Sequence, residues 1–269
     1  MIIDFHTHVF PEKIAKSTIS TLSQNAQIPA HYNGTKDGLL RSMEISGVDI
    51  SVVLPVMTSP KQFESVNKFA KELNDEFEKT GKGLLSFGGI HPKCEDIPQK
   101  IAFLKENGFK GVKIHPEYQN AYIDDPKYVE IIKCAKEQDL IVITHAGLDG
   151  AYKNGEIKCA PKRVQNLLKE VEYSKLVLAH YGGYSLWKEF YEILAGGDFY
   201  IDTAVVLDEI DRELFVQILE KHGEDKVLFA TDGPWKDGKQ FVQIMQNMGL
   251  SDTQLKKIMY KNAQKLLGI

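Results

Sequence analysis

Short β-branched runs alternate with longer amphipathic segments along the whole chain, and this alternation constrains the fold more than any other feature. The runs are residues 2–5 (IIDF), 49–54 (DISVVL), 84–90 (LLSFGGI), 111–115 (GVKIH), 140–145 (LIVITH), 175–180 (KLVLAH), 198–202 (DFYID) and 226–231 (KVLFAT). The spacing between them predicts helices near 36–46, 61–80, 97–107, 126–138, 161–172, 185–195, 208–222 and 238–248, with a closing helix near 252–266. Near-continuous apolar strands alternating with helices specify a parallel sheet covered on its faces. Eight such units in 269 residues fit a closed (β/α)8 TIM barrel, which typically needs about 250 residues. A doubly wound sheet competes, but it usually carries a Gly-rich turn after the first strand. Here that turn is His6-Thr7-His8-Val9-Phe10-Pro11, without glycine. No Pro/Gly/Ser-rich linker divides the chain, so the expectation is one α/β barrel domain over residues 1–269. Two connections, 9–35 and 146–160 (AGLDGAYKNGEIKCA), are longer than ordinary βα loops. In a barrel both fall on the C-terminal face, where they are expected to cover a site.

Composition excludes several classes. The formal net charge is −4, from 33 Lys+Arg against 37 Asp+Glu, and 43% of residues are apolar. That balance argues against disorder and gives no general footprint for nucleic acid. No stretch approaches the roughly 20 apolar residues of a membrane span. The start, Met-Ile-Ile-Asp-Phe-His, lacks the basic and apolar regions of a signal peptide. Cys94, Cys134 and Cys159 are widely spaced and form neither a disulfide framework nor a CxxC pair, which fits a reduced, cytoplasmic protein. The arginines are Arg41, Arg163 and Arg212, too few and too scattered for a multi-Arg phosphate clamp.

Histidines concentrate where the predicted strands end. His6 and His8 end the first run, His91 follows the third, and His115, His145 and His180 end the fourth, fifth and sixth; only His31 and His222 fall elsewhere. A barrel gathers all of these strand ends on one rim. In an extended strand, residues i and i+2 share a side, so the His6-Thr7-His8 pair can reach one ion of zinc type. The same period points Asp4 inward, either as a carboxylate bonded to backbone amides or as a group that orients a ligand histidine. Asp232 stands where the last apolar run ends, in Thr231-Asp232-Gly233-Pro234. A barrel's eighth strand adjoins its first, so Asp232 is placed near His6 and His8, as a metal-site carboxylate in preference to a turn residue. His145 and His180 complete the ring, and the small residues that follow each leave room for a substrate.

Asp4-Phe5-His6-Thr7-His8, Gly111-Val112-Lys113-Ile114-His115-Pro116, His145-Ala146-Gly147, Ala179-His180-Tyr181-Gly182-Gly183 and Thr231-Asp232-Gly233-Pro234 together resemble the motif set of the amidohydrolase superfamily. The resemblance covers essentially the whole chain, in order. It is strongest to the amidohydrolase-2 branch, which includes the enzymes similar to aminocarboxymuconate-semialdehyde decarboxylase. It implies a metal-bearing barrel of the metal-dependent hydrolase type. The implied metal ligands are His6, His8, His145 and Asp232, with His180 beside the reacting groups. Zn2+ is the implied ion, although other divalent ions occur in the branch. Some superfamily members bridge two metals with a modified lysine on the fourth strand. Lys113 lies there, but its GVKIHP setting resembles that of mononuclear members. A homodimer is common in the branch, yet no interface signature stands in the sequence.

Three neutral imidazoles and a carboxylate leave a divalent ion with net positive charge and an open position, where the pKa of water falls toward about 7. Asp232 is then expected to take and return a proton, and His180 to polarise a carbonyl or act as acid and base. Lys113 and His115 are the candidate binders of a substrate carboxylate. The expected activity is hydrolysis of a small amide, ester or lactone. The alternative is non-oxidative decarboxylation, or related lyase chemistry, of a small unsaturated or aromatic carboxylic acid, and the motifs fit both. Phosphoester hydrolysis, as in the TatD-like and PHP families, fits less well: Glu117 is a poor stand-in for the glutamate of the former, and the extra histidine clusters of the latter are missing. A metal-free binding protein on a retired scaffold is the non-catalytic reading. Substrate identity is expected to depend on the 9–35 and 146–160 connections.

Overall fold

The structure is a computed structural model and describes residues 1–152 and 155–269. Its parallel strands are β1 (Ile3–Thr7), β2 (Ile50–Val53), β3 (Gly83–Ser86), β4 (Gly88–Gly89), β5 (Gly111–Ile114), β6 (Ile141–Thr144), β7 (Leu176–Leu178), β8 (Tyr200–Asp202) and β9 (Val227–Leu228). They pair in the order β1-β2-β3 and β4-β5-β6-β7-β8-β9. β3 and β4 are two pieces of one stave, interrupted only at Phe87, whose amide still bonds Val53 O on β2 at 2.9 Å. The ring closes between first and last strands. Phe5 N–H donates to Phe229 O at 2.9 Å, His8 N–H to Gly233 O at 2.7 Å, and Asp232 N–H to His6 O at 2.8 Å. Thr7 and Gly233 form a parallel bridge. The eight staves therefore make a (β/α)8 barrel, and the doubly wound sheet is excluded.

The strands are shorter than the apolar runs, because the runs extend into buried connections. One buried cluster, drawn from the strands, fills the barrel with Phe5, Val52, Phe87, Ile143, Val177 and Leu228, and Leu266 and Leu267 pack into it. A second lies between sheet and helices, where Val112 and Val142 meet Leu104, Ile131 and Ile132. Neighbouring strand residues thus serve opposite faces, as the two-residue period requires.

The helices are α1 (Glu12–Ala26), α2 (Lys36–Ser46), α3 (Phe63–Thr80), α4 (Ile97–Glu106), α5 (Pro116–Gln119), α6 (Pro126–Glu137), α7 (Pro161–Glu170), α8 (Trp187–Ile193), α9 (Arg212–His222), α10 (Gly238–Gln246), α11 (Asp252–Lys256) and α12 (Asn262–Leu267). Local chemistry sets several ends. Thr35 caps α2 by accepting from Gly38 N–H, and Asp211 caps α9 by accepting from Glu213 and Leu214 N–H. The closing helix is one run with a π-helical turn at Lys257–Lys261. The long 9–35 connection is not plain loop, since α1 occupies its middle and buries only Ala15. The 146–160 connection reaches it, with Gly150 beside Ala26. Residues 153–154 of that connection lie outside the described residues.

Candidate metal centre

The residues that follow the strands converge on one mouth of the barrel. His6 Nε2 lies 3.3 Å from Asp232 Oδ1, and His8 Nε2 lies 3.0 Å from the same oxygen. Ligand atoms of His6, His8 and Asp232 all fall within 4.8 Å of one another. Asp232 sits in the left-handed region (φ 68°), as does His180 (φ 59°). Such backbone is uncommon for non-glycine residues and tends to gather at functional sites.

Hydrogen bonds fix what each ring presents. His6 Nδ1 lies 2.8 Å from Asp202 Oδ2, and His8 Nδ1 lies 2.8 Å from Leu54 O. Leu54 O and the ionised Asp202 carboxylate accept, so both Nδ1 atoms carry a proton, and in the neutral rings both Nε2 atoms offer lone pairs. His180 Nδ1 similarly donates to Ala204 O at 3.2 Å, which leaves its Nε2 to accept from His145 Nδ1 at 2.9 Å. His145 Nε2 is then an unprotonated lone pair, and it is buried without a partner among the described residues. His145 stands outside the compact trio, one imidazole further along, with its ring 4.7 Å from that of His180.

Electrostatics keep these groups in ligating form. Burial, reinforced by the Lys113 charge, pushes His6 well below the ordinary imidazole range. Burial and the facing His180 do the same for His145, and burial lowers His180. Burial alone would raise the Asp232 carboxyl, but attraction to His6 and a hydrogen bond from His8, each acting when the ring carries a proton on Nε2, hold it well below the usual carboxylate range. In the neutral rings two imidazole lone pairs face a carboxylate across 3.0–3.3 Å, with Lys113 Nζ 3.2 Å from one of them, and a third, on His145, has no partner among the described residues. Acceptors turned on one another favour a shared cation, and this donor set suits a divalent transition ion.

Lys113 is 1% exposed, and its Nζ lies 3.2 Å from His6 Nε2. Burial pushes it down to about 8, against the pull of Asp202 and Asp232. Two of the three arginines are committed elsewhere: Arg163 pairs with Asp124 and Glu156, and Arg212 donates to Met248 O. His115 stacks on His145 at 4.4 Å and faces Asp149, with Nε2 3.6 Å from Oδ2. Its Nδ1 accepts from Tyr118 N–H, so Nε2 is a donor and does not ligate. Burial raises Asp149 to about 6.

For Asp4 the structure selects the first of the two expected parts, a carboxylate bonded to backbone amides, and it adds parts for other residues. Asp4 does not orient a ligand ring; it accepts from Thr231 N–H and Oγ1–H at 3.0 and 2.6 Å and from His6 N–H at 3.2 Å, tying first strand to last. Asp202, absent from the sequence reading, orients His6. Asp149 was missed as well, because a loop aspartate carries no local mark. Glu117 is buried and accepts from Lys158 N–H at 2.7 Å, which anchors the 146–160 connection. His91 Nδ1 accepts from Lys93 N–H in a turn. Tyr181 is fully buried and stacks on Phe215 at 4.6 Å. The aromatics beside the histidines are Tyr118, 4.6 Å from the His115 ring, and Tyr184, 6.3 Å from that of His180, and Tyr152 packs on Tyr118 at 5.4 Å.

Solved structures share this fold. A 5-carboxyvanillate decarboxylase from Novosphingobium aromaticivorans, complexed with manganese and 4-hydroxy-3-methoxy-5-nitrobenzoic acid, superposes with a TM-score of 0.78 at 17% identity, covering 100% of this chain and 96% of its own. A dihydroxybenzoic acid decarboxylase from Polaromonas sp. JS666, with manganese and 2-nitroresorcinol, gives 0.75 at 15% identity, covering 99% and 96%. A TIM-barrel protein of Bordetella bronchiseptica gives 0.76 at 14% identity, covering 99% and 98%. No curated protein matches the chain in sequence. The Amidohydrolase family model (Amidohydro_2) matches residues 3–269, and the chain belongs to that family.

Proposed function

We propose that this chain is a divalent-metal-dependent, non-oxidative decarboxylase of a small aromatic or unsaturated carboxylic acid, with residues 1–269 forming one catalytic barrel. The observation that carries the metal reading is the His6–His8–Asp232 trio, whose ligand atoms lie within 4.8 Å of one another, and the His145 Nε2 lone pair, one imidazole further along, has no partner among the described residues. His6, His8, His145 and Asp232 would hold the ion. Zinc fits the imidazole-rich set, and manganese is the ion of the decarboxylases named above. When bound, the ion supplies Lewis acidity that fixes and polarises substrate oxygens.

The chain's own residues account for the remaining work. Lys113 is the buried cation at the mouth and attracts the carboxylate of an incoming acid. His115 offers Nε2–H as a second donor on that side. Tyr118, Tyr152 and Tyr184 flank the histidines and suit a flat, unsaturated ring. As the C–C bond to the carboxylate breaks, CO2 leaves, the electron pair stays on carbon, and a proton must reach that carbon. Asp232 and His180 are the groups at the mouth that can hold and deliver it, in keeping with general acid–base roles.

The likeness to decarboxylases of the same fold, with nearly full coverage of both chains, favours this reaction over hydrolysis. Hydrolysis of an amide, ester or lactone draws support only from the general character of the family. The test is CO2 release from a panel of hydroxybenzoates and unsaturated acids by protein loaded with Zn2+ or Mn2+. Release is expected. Hydrolysis of an ester, lactone or amide panel without any CO2 would replace this reading.

A further inference from the structure

We propose that Asp202 is a positioning residue that sets the tautomer of His6 and so controls the affinity of the centre for its ion, an inference that rests on the metal reading above. Asp202 ends β8 and is fully buried. Its two oxygens have different duties. Oδ1 accepts from the backbone N–H of His180 at 2.9 Å and of Ala204 at 3.1 Å. Oδ2 faces His6 Nδ1 at 2.8 Å. The Oδ1 partners are amides that can only donate, so an acceptor must stay on that side. The Oδ2 partner is a ring nitrogen that can do either. A carboxylate accepts at both oxygens, so His6 carries its proton on Nδ1. Its Nε2 lone pair is thereby left toward Asp232 and Lys113. The opposite tautomer would present N–H at that point and could not ligate.

Asparagine exposes this dependence, because it keeps the shape of aspartate and changes only what it offers. In Asp202→Asn the amide oxygen must remain with the two backbone N–H groups, which turns the NH2 toward His6 Nδ1. Two donors cannot face each other at 2.8 Å. His6 therefore accepts at Nδ1 and moves its proton to Nε2. Asp202→Ala removes the bias without reversing it. A residue that merely supported the fold would show the other order, with the near-isosteric asparagine milder than alanine in every measurement.

The experiment combines three readouts on wild type, D202N and D202A. Long-range 1H–15N spectra of metal-free, histidine-labelled protein are expected to show His6 protonated at Nδ1 in wild type and at Nε2 in D202N. Unfolding midpoints are expected to place D202N closer to wild type than D202A. Zn2+ and Mn2+ titrations are expected to show affinity reduced by roughly 10–100-fold or more in D202N, and at least as strongly as in D202A. Wild-type affinity in D202N, an Nε2-protonated His6 in the wild type, or an affinity order that follows the stability order would each overturn the proposal. The tautomer spectra use no metal. A wild type that bound neither ion would therefore defeat the metal reading, while those spectra still decide the role of Asp202.

Discussion

Asp232 faces His6 and His8 from a left-handed backbone, and both circumstances tie it to the site. A non-glycine residue held there costs on the order of 1–3 kcal/mol, which the surrounding bonds must offset. Asp232→Asn keeps the shape and removes the negative charge proposed to hold the ion. Bound metal is expected to fall well below one ion per chain, and CO2 release by about 100-fold or more, with the fold retained by circular dichroism. Lys113→Met tests a different link. A charge-assisted hydrogen bond contributes about 1.5–3 kcal/mol, so KM for the acid is expected to rise roughly 10–100-fold with a smaller change in kcat. A KM left unchanged would remove Lys113 from substrate binding. At this scale the sequence was partly legible. His6, His8 and Asp232 could be placed together because strand period and barrel closure dictate their proximity. Asp202 could not, since a lone carboxylate ending a strand resembles any turn residue until the ring 196 positions away is seen against it.

The elements were legible wherever their ends carried chemistry. The helix expected over 36–46 matches α2 because Thr35 caps it, and α6 begins at Pro126, where proline is best tolerated. Helix α1 escaped notice because its apolar stripe, Ala15, Ile19, Leu22 and Ala26, is thin, and of these only Ala15 is buried. Helix α9 carries a pH dependence of its own. Burial pushes His222 down from 6.5 to about 4. Its Nδ1 accepts from Gly196 N–H at 3.2 Å and its Nε2–H donates to Phe199 O at 3.0 Å, so the neutral ring is the bonded form. As pH falls, the unfolded chain takes up the proton first. The stabilisation is complete above about 6.5 and is lost progressively as pH falls toward about 4, with a full effect on the order of 3 kcal/mol. Urea unfolding is expected to show a smaller loss of stability between pH 7 and 4.5 in His222→Gln than in wild type. Gly147 carries a second element-scale prediction. It has φ 87°, and a Cβ there would stand 2.1 Å from Tyr184 N across the bridge that joins the ends of β6 and β7. Gly147→Ala is expected to cost more than about 1 kcal/mol in the same measurement.

For the whole molecule, an ion that binds the folded chain and not the unfolded one stabilises it by mass action. At a free concentration about 100-fold above Kd the gain is about 2.7 kcal/mol, so stripping the metal is expected to lower Tm by roughly 5–10 °C for a chain of this size. An unchanged Tm after complete chelation would count against a bound structural or catalytic ion. The barrel itself was legible because eight apolar runs at regular spacing admit few other parallel sheets. The stave broken at Phe87 and the short last strand were not, because burial extends past the ladder hydrogen bonds at both. Closure has one more consequence, in the time domain. His8 and Asp232 are 224 positions apart, and Asp4 and Thr231 are 227 apart. On the ribosome the first strand emerges long before its partner exists, and contacts of such separation form late and slowly. On the proposed metal reading, His6 and His8 must wait through more than 220 further residues for their carboxylate, so capture of the ion cannot serve as an early scaffold for folding.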